Sequence, residues 1–346
     1  MSLRIGFTGD VMLGRLVDDR QRSRSVDAVW GNVLERLQAL DGLVINLECV
    51  LSTRGREWQR TRRPFHFRAD PDWAIPALEE AGVDVCALAN NHVLDYEEVA
   101  LRDTIDALDG AGIAHAGAGA TIGEALEPAV RTIGDLDADA DGSNAGDDGE
   151  LDVAVVSLTD NTPEYAADND SPGTARIEID TDDLETRRRV REALEHARET
   201  NPDLLVASLH WGPNMVTEPP ESFQEFGRWL VEDGVDVIHG HSAHVFQGIE
   251  VHKGSPIIYD AGDFVDDYRV DKQLHNDRSF LFVLAVTPDG RPTELRLQPT
   301  EIDGCAVHGA DPEAAAWSRK RMRDLSEPFG TEFDRDGDAL VFSLEE

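Results

Sequence analysis

Asp10, Glu48, Asn91, His210, His241 and His244 are the side chains in this 346-residue chain whose types could share a divalent cation. Carboxylates, an amide oxygen and imidazoles are hard-to-borderline donors, suited to Mn²⁺, Fe²⁺ or Zn²⁺ in a mixed nitrogen and oxygen site. The set is too rich in nitrogen for magnesium and has no thiolate for a structural zinc. These donors suffice for one ion or two, with water completing the shells. Asp10 and Glu48 would repel each other near a sheet edge unless a cation lay between them. A pair of ions about 3.5–4 Å apart can activate water and neutralise charge developing on a phosphoryl or acyl oxygen. His92 follows Asn91 directly and Asp95 lies three residues on, so a carboxylate-oriented histidine could protonate a leaving group there. Each residue alone has a structural reading. Asp10 can cap a turn, Asn91 and Asp95 can close a loop, and Asp95 can cap the next helix.

What singles the set out is its placement, since every cluster falls where a strand should end. Leu3–Phe7 reads as a strand running into Thr8-Gly9-Asp10, and Leu43–Ile45 as one delivering Asn46 and Glu48. Val83–Leu88 reads as a buried strand stopping at Asn90-Asn91-His92. Residues 151–158 and 204–209 are apolar strands, the second leading to His210, and Val235–Ile238 leads to His239-Gly240-His241. Between them, apolar positions spaced by three and four predict helices over 25–40, 72–81 and 97–109. Thr121 with Glu124, and Ser222 with Glu225, have capping-box spacing. From residue 245 the pattern becomes successive strands, at 245–251, 256–259, 280–286 and 293–299, with little helix. Alternating strands and helices imply an α/β fold.

The charge balance is 69 acidic against 32 basic residues, a net −37, and only Lys253, Lys272 and Lys320 are lysines. That excess is spread along the chain, so it belongs to the surface, and it resembles the proteins of salt-loving cytoplasms. It excludes a broad nucleic-acid-binding face. Cys49, Cys86 and Cys305 have no paired spacing and imply neither disulfides nor a cysteine zinc site. No signal-like or membrane-spanning apolar run occurs, so a cytoplasmic protein without a membrane anchor is expected. Residues 135–150 form an acidic insertion. Asp137, Asp139, Asp141 and Gly142 begin like a calcium-binding loop, but Asp148 stands at position twelve and no amphipathic helix enters, which favours a solvated loop.

Several blocks resemble those of the CapA-type family of poly-gamma-glutamate capsule synthesis proteins, within the calcineurin-like metallophosphoesterases. They are Thr8–Arg15, Asn46-Leu47-Glu48, Ala89–Asp95, His210-Trp211-Gly212, Gly240–Glu250 and Tyr259–Phe264, in the family's order. The resemblance implies a four-layer α/β/β/α sandwich over about residues 1–300, with 301–346 as a C-terminal extension packed on the same domain. It implies a metal-dependent hydrolase of phosphoester or related bonds, linked to capsule polymer metabolism. Asp10, Glu48, Asn91, His210, His241 and His244 would hold one or two of Mn, Fe or Zn; His92 would be the proton donor, Asp95 its orienter. Arg15 would meet a small or polymeric anionic substrate, or else pair with the acidic surface. Three departures leave the number of ions open. Val11 and Met12 follow Asp10 where phosphoesterases place a histidine two residues on, Ser242 stands where a histidine is usual, and Asp263 where Asn is frequent. A non-enzymatic polymer- or carbohydrate-binding protein on the same scaffold is the alternative. A glutamate-ligating role is disfavoured, because the glycine-rich stretch Gly117–Thr121 lacks the lysine of a phosphate loop.

Overall fold

A computed structural model describes residues 2–134 and 149–344, so the calcium-loop-like stretch lies outside the described residues. The chain is mixed α/β with two large sheets. In the ten-stranded sheet, Leu3–Val11 is central. It runs parallel to Gly42–Leu47, which is followed by Val85–Ala87 and Ala114–Ala116, all parallel. On its other side it pairs antiparallel with Arg278–Val286, and that strand with Pro292–Asp303. In the six-stranded sheet, Leu151–Thr159, Leu204–His210 and Val237–His241 are parallel neighbours.

Side chains two apart along a strand share a face, and this alternation divides the core. Ile5, Phe7, Val44 and Val85 of the larger sheet form one apolar cluster with Val153, Val155, Val206 and Val237 of the smaller. Leu43, Ile45 and Cys86 face the other way, onto Trp30 and helices Pro71–Glu80 and Glu97–Ala111. Ala154, Val156, Leu205 and Ala207 meet helices Leu184–Glu199 and Glu221–Glu232. The strands carrying the polar clusters are thus buried on both faces, and those clusters emerge only where the strands end.

Four expectations about elements are corrected. The helix expected over 25–40 is a 3₁₀ stretch, Val26–Val33, followed by a short helix, Leu34–Leu37. It breaks at Gly31, whose φ is +47° and whose Cβ, if added, would lie 2.4 Å from the Val307 carbonyl oxygen. Its apolar positions Val29, Trp30, Val33 and Leu37 nevertheless all face the core. Ser222 is not a cap: the helix begins at Glu221 behind Pro220. The strand expected at 245–251 is only Ile249–His252, because Ser242 (φ +114°) and His244 (φ +60°) turn the chain first. The region after 245 also holds a full helix, Pro312–Ser326, started by Asp311, which accepts from the Glu313 and Ala314 amides at 2.8 Å. Strand Ala339–Ser343 then adds to Pro292–Asp303 in the larger sheet. Thr121 does cap its short helix, accepting from the Glu124 amide.

Candidate metal centre

The larger sheet brings Asp10 beside Asn46 in register, with Glu48 just beyond. The smaller sheet brings His210 beside His241. The ends of both sheets meet, and two groups of donors form, each with ligand atoms within 4.8 Å of one another: Asp10, His210 and His241, and Asp10, Glu48 and His244. Asp10 belongs to both. His241 Nδ1 lies 3.5 Å and His210 Nδ1 3.9 Å from Asp10 Oδ1, and His244 Nδ1 is 3.5 Å from Asp10 Oδ2. His210 Nε2 is 4.0 Å from Glu48 Oε1. The turn with positive φ at Ser242 and His244 is what aims His244 back at the larger sheet. Such strained non-glycine positions concentrate at functional sites.

Burial dominates the electrostatics of this cluster. Asp10, Glu48, His210 and His241 are all buried. Burial raises the Asp10 carboxyl to about 6, even though His244 and the Asn46 amide oppose it. Burial, then the Asp10 charge, drives Glu48 well above the ordinary carboxylate range. Asp263 is raised by burial and by Asp266, and Asp260 is pushed to about 8 by burial and Asp10. Burial and neighbouring imidazoles hold His210 and His241 well below the usual histidine value. Burial opposes a proton on His244, but Glu48, Asp10 and other carboxylates outweigh it and raise its pKa. Asp10 Oδ2, Glu48 Oε1, Asp263 Oδ2 and the Asn91 side-chain oxygen are buried without any hydrogen-bond partner. Orphaned buried oxygens are costly, and those of Asp10, Glu48 and Asp263 at the two donor groups fit a divalent cation. The chemistry of the donor set fits it as well.

His92 lies beside this centre. Its Nδ1 is 2.5 Å from Asp95 Oδ2, its Nε2 3.8 Å from Glu48 Oε1, and its ring stacks on Phe67 with centroids 3.8 Å apart. Asp95 does not cap the helix at Glu97. It accepts from the Phe67 amide at 2.7 Å and from the Tyr165 hydroxyl at 3.1 Å, which holds it toward His92. A cleft of 560 Å³ opens over His92, Asn91 and His244, walled by Phe65, Phe67 and Tyr268 and carrying Arg15, Arg63 and Arg269. Arg15 lines the cleft and pairs at 3.3 Å with Asp267, a buried carboxylate rather than one of the acidic surface. Arg63 donates to the Asn91 carbonyl, and its Nε is buried without a partner.

The matches to known proteins now bear on this site. A family described as "Bacterial capsule synthesis protein PGA_cap" matches residues 4–268, which contain all the candidate metal donors, His92 and Asp95. The chain belongs to this capsule synthesis family. A probable polyglutamine synthesis accessory protein of Mycobacterium tuberculosis is 33% identical over 87% of this chain and 77% of its own length. The capsule biosynthesis protein CapA of Bacillus anthracis is 28% identical over 77% of this chain and 60% of its own, and the PGA biosynthesis protein CapA of Bacillus subtilis 26% over 77% and 63%. A solved hypothetical protein from Thermus thermophilus superposes with a TM-score of 0.48 at 15% identity, covering 87% of this chain and 100% of its own. Membership of the capsule synthesis family agrees with the CapA-type resemblance of the sequence blocks and is consistent with the wider metallophosphoesterase relationship. Among the described residues, no helix is long and apolar enough to cross a membrane.

Sequence reasoning missed several members of the site. Asn90 donates to the Asn46 side chain at 3.1 Å and to the Leu47 carbonyl at 2.8 Å, and accepts from the His92 amide, so it ties two clusters together. Asp263 accepts from His244 at 2.8 Å, and the Tyr268 hydroxyl donates to Glu48 at 3.2 Å. Asn90 and Asp263 sat inside quoted motifs, whereas nothing local marks Arg63 or Tyr268.

Proposed function

We propose that this protein is a metal-dependent hydrolase of phosphoester or related bonds, acting within capsule or poly-gamma-glutamate metabolism, as the names of its relatives suggest. Its scaffold reads as a four-layer α/β/β/α sandwich, with apolar clusters between the sheets and under the helices on either side. The observation that carries the proposal is the sharing of Asp10 by two donor groups beside an aspartate-held histidine that opens on a cleft. Asp10, His210 and His241 would hold one cation, and Asp10, Glu48 and His244 a second, with Asn91 proposed as a further oxygen donor; the donors suit Mn²⁺, Fe²⁺ or Zn²⁺. When bound, such cations supply charge neutralisation and activation of water.

The remaining work falls to the chain's own residues. Asp95 accepts the hydrogen bond from His92 Nδ1–H and orients the ring, so that the imidazolium would give its Nε2 proton to the leaving group. Burial lowers the His92 pKa, and an anionic substrate across the ring opposes that shift. Arg15, Arg63 and Arg269 attract and orient the anion, small or polymeric, at the cleft. Phe67 keeps water from one face of the imidazole. Cytoplasmic action on a soluble substrate is part of the proposal.

The test is to strip the protein, reload it with Mn²⁺, Fe²⁺ or Zn²⁺, and assay phosphodiester, phosphomonoester and gamma-glutamyl substrates. His92→Ala should lower turnover of a poor leaving group by about 10²–10⁴-fold, with less effect on nitrophenolate esters and unchanged metal per chain. His210→Ala should lose metal and activity together. Full turnover by His92→Ala on the poor leaving group removes the proton-donor role. Tight metal binding without turnover on any substrate favours instead a polymer-binding protein on this scaffold.

A further inference from the structure

Parallel register sets Ser208 beside His239 and His210 beside His241, and alternation puts the two residues of each strand on one face. His239 is fully buried, and its ring nitrogens meet only a carbonyl and a hydroxyl. Its Nε2 lies 2.7 Å from the main-chain oxygen of Thr8, in the other sheet. A carbonyl oxygen can only accept, so the hydrogen of the neutral ring is on Nε2 and Nδ1 is a bare acceptor. Ser208 Oγ, 3.1 Å from that Nδ1, has one hydrogen and must donate it there. Toward His241 Nε2, 2.9 Å away, the same oxygen can then only accept. His241 is thereby protonated on Nε2, and its Nδ1 lone pair faces His210 Nδ1 at 3.0 Å and Asp10 Oδ1 at 3.5 Å.

We infer that Thr8, His239 and Ser208 form a tautomer lock that makes His241 a ligand through Nδ1. His239 and Ser208 are positioning residues: one backbone carbonyl in the larger sheet fixes, through three hydrogen bonds, which nitrogen the smaller sheet presents to the shared carboxylate. The partner on a ligand's far nitrogen decides its tautomer and ring angle, and such partners typically change metal affinity about 10–100-fold. The inference rests on the reading of Asp10, His210 and His241 as a cation site.

Long-range proton–nitrogen spectra of the metal-free protein, labelled at histidine nitrogen, read the tautomers directly, with His239→Gln and His241→Gln giving the assignments. His239 and His241 should both carry hydrogen on Nε2; hydrogen on His241 Nδ1, or a doubly protonated His239, overturns the lock. Titration calorimetry with Mn²⁺ and Zn²⁺ should show Ser208→Ala binding about 10–100-fold more weakly, and Ser208→Thr, which keeps the hydroxyl, recovering most of the loss. Unchanged affinity in Ser208→Ala overturns the positioning role. The tautomer readout needs neither metal nor substrate. A locked His241 in a protein without turnover would therefore sink the hydrolase reading alone.

Discussion

Asp10 is the residue on which the whole site turns, and its burial has a consequence that pH can expose. Burial raises its carboxyl from 3.8 to about 6, so in the metal-free protein its contribution to stability is present at low pH and lost as pH rises through about 6. Glu48, raised still further, behaves with the same sign. His210 and His241 are lowered, and their contribution runs the other way: present above about 6.5, it is lost as pH falls. A bound cation requires the carboxylates ionised and the imidazoles neutral, and both requirements favour higher pH. The gain in melting temperature on adding Mn²⁺ should therefore be small near pH 5 and grow steadily to pH 8. A gain that is constant, or largest at pH 5, would mean that the added metal binds elsewhere. At this scale the sequence was most legible where metal-donor side chains close apolar strands: Asp10, Glu48, His210, His241 and His244 do converge. Arg63 and Tyr268 were illegible because their roles come from the cleft that the folded loops build, not from any spacing.

The elements hold these residues by backbone contact as much as by side-chain packing. Leu3–Val11 is pressed against the segment 261–263: the Asp10 amide donates to the Gly262 carbonyl at 2.8 Å, and Asp10 lies in register with Asp263. A Cβ on Gly9 would lie 1.9 Å from that same Gly262 oxygen. Gly9→Ala must push the segment away, at about 1–3 kcal/mol for overpacking, and should lower metal content along with stability. Gly110→Ala is the control. It sits in helix Glu97–Ala111 with nothing within 4 Å of a new Cβ, so it should stabilise by about 0.5–1 kcal/mol and leave metal untouched. Equal melting temperatures for the two variants would show that the close approach at Gly9 is not enforced. Strand ends were readable because these strands, largely apolar, are closed by clusters of polar residues. The 3₁₀ stretch at 26–33 was not, since periodicity places Trp30 in the core equally well through a helix or through two turns joined at Gly31. Helix Pro312–Ser326 carried legible signs, an Asp-Pro start and buried Ala314, Ser318, Met322 and Leu325, that the surrounding strand pattern masked.

Over the whole molecule, a net charge of −37 acts on both stability and substrate approach. Acidic side chains on a closed surface repel one another, and the Debye length of about 10 Å at 0.1 M salt leaves neighbours coupled, whereas about 3 Å at 1 M does not. Many of the arginines are already engaged with acidic partners, as in helix Leu184–Glu199, where Arg188 and Arg189 both pair with Glu185. Exposed pairs of this kind contribute little each, so they do not offset the excess. The melting temperature should rise strongly between 0.1 M and 3 M KCl, and equal values would show that the acidic surface is not under strain. The same field opposes any anionic substrate at a distance, and Arg15, Arg63 and Arg269 at the cleft reverse it only locally. Salt therefore has two opposed effects on binding: it screens the general repulsion and it weakens the arginine contacts. For a long polyanion, repelled along its whole length but held at one cleft, screening should dominate, so its KM falls as KCl rises. A small phosphoester, which meets mainly the arginines, should show a flat or rising KM over the same range. Measuring both substrates across 0.1–3 M KCl on one metal-loaded preparation separates the cases, and a polyanion KM that climbs with salt would mean that the arginine cleft, not the acidic surface, governs its approach.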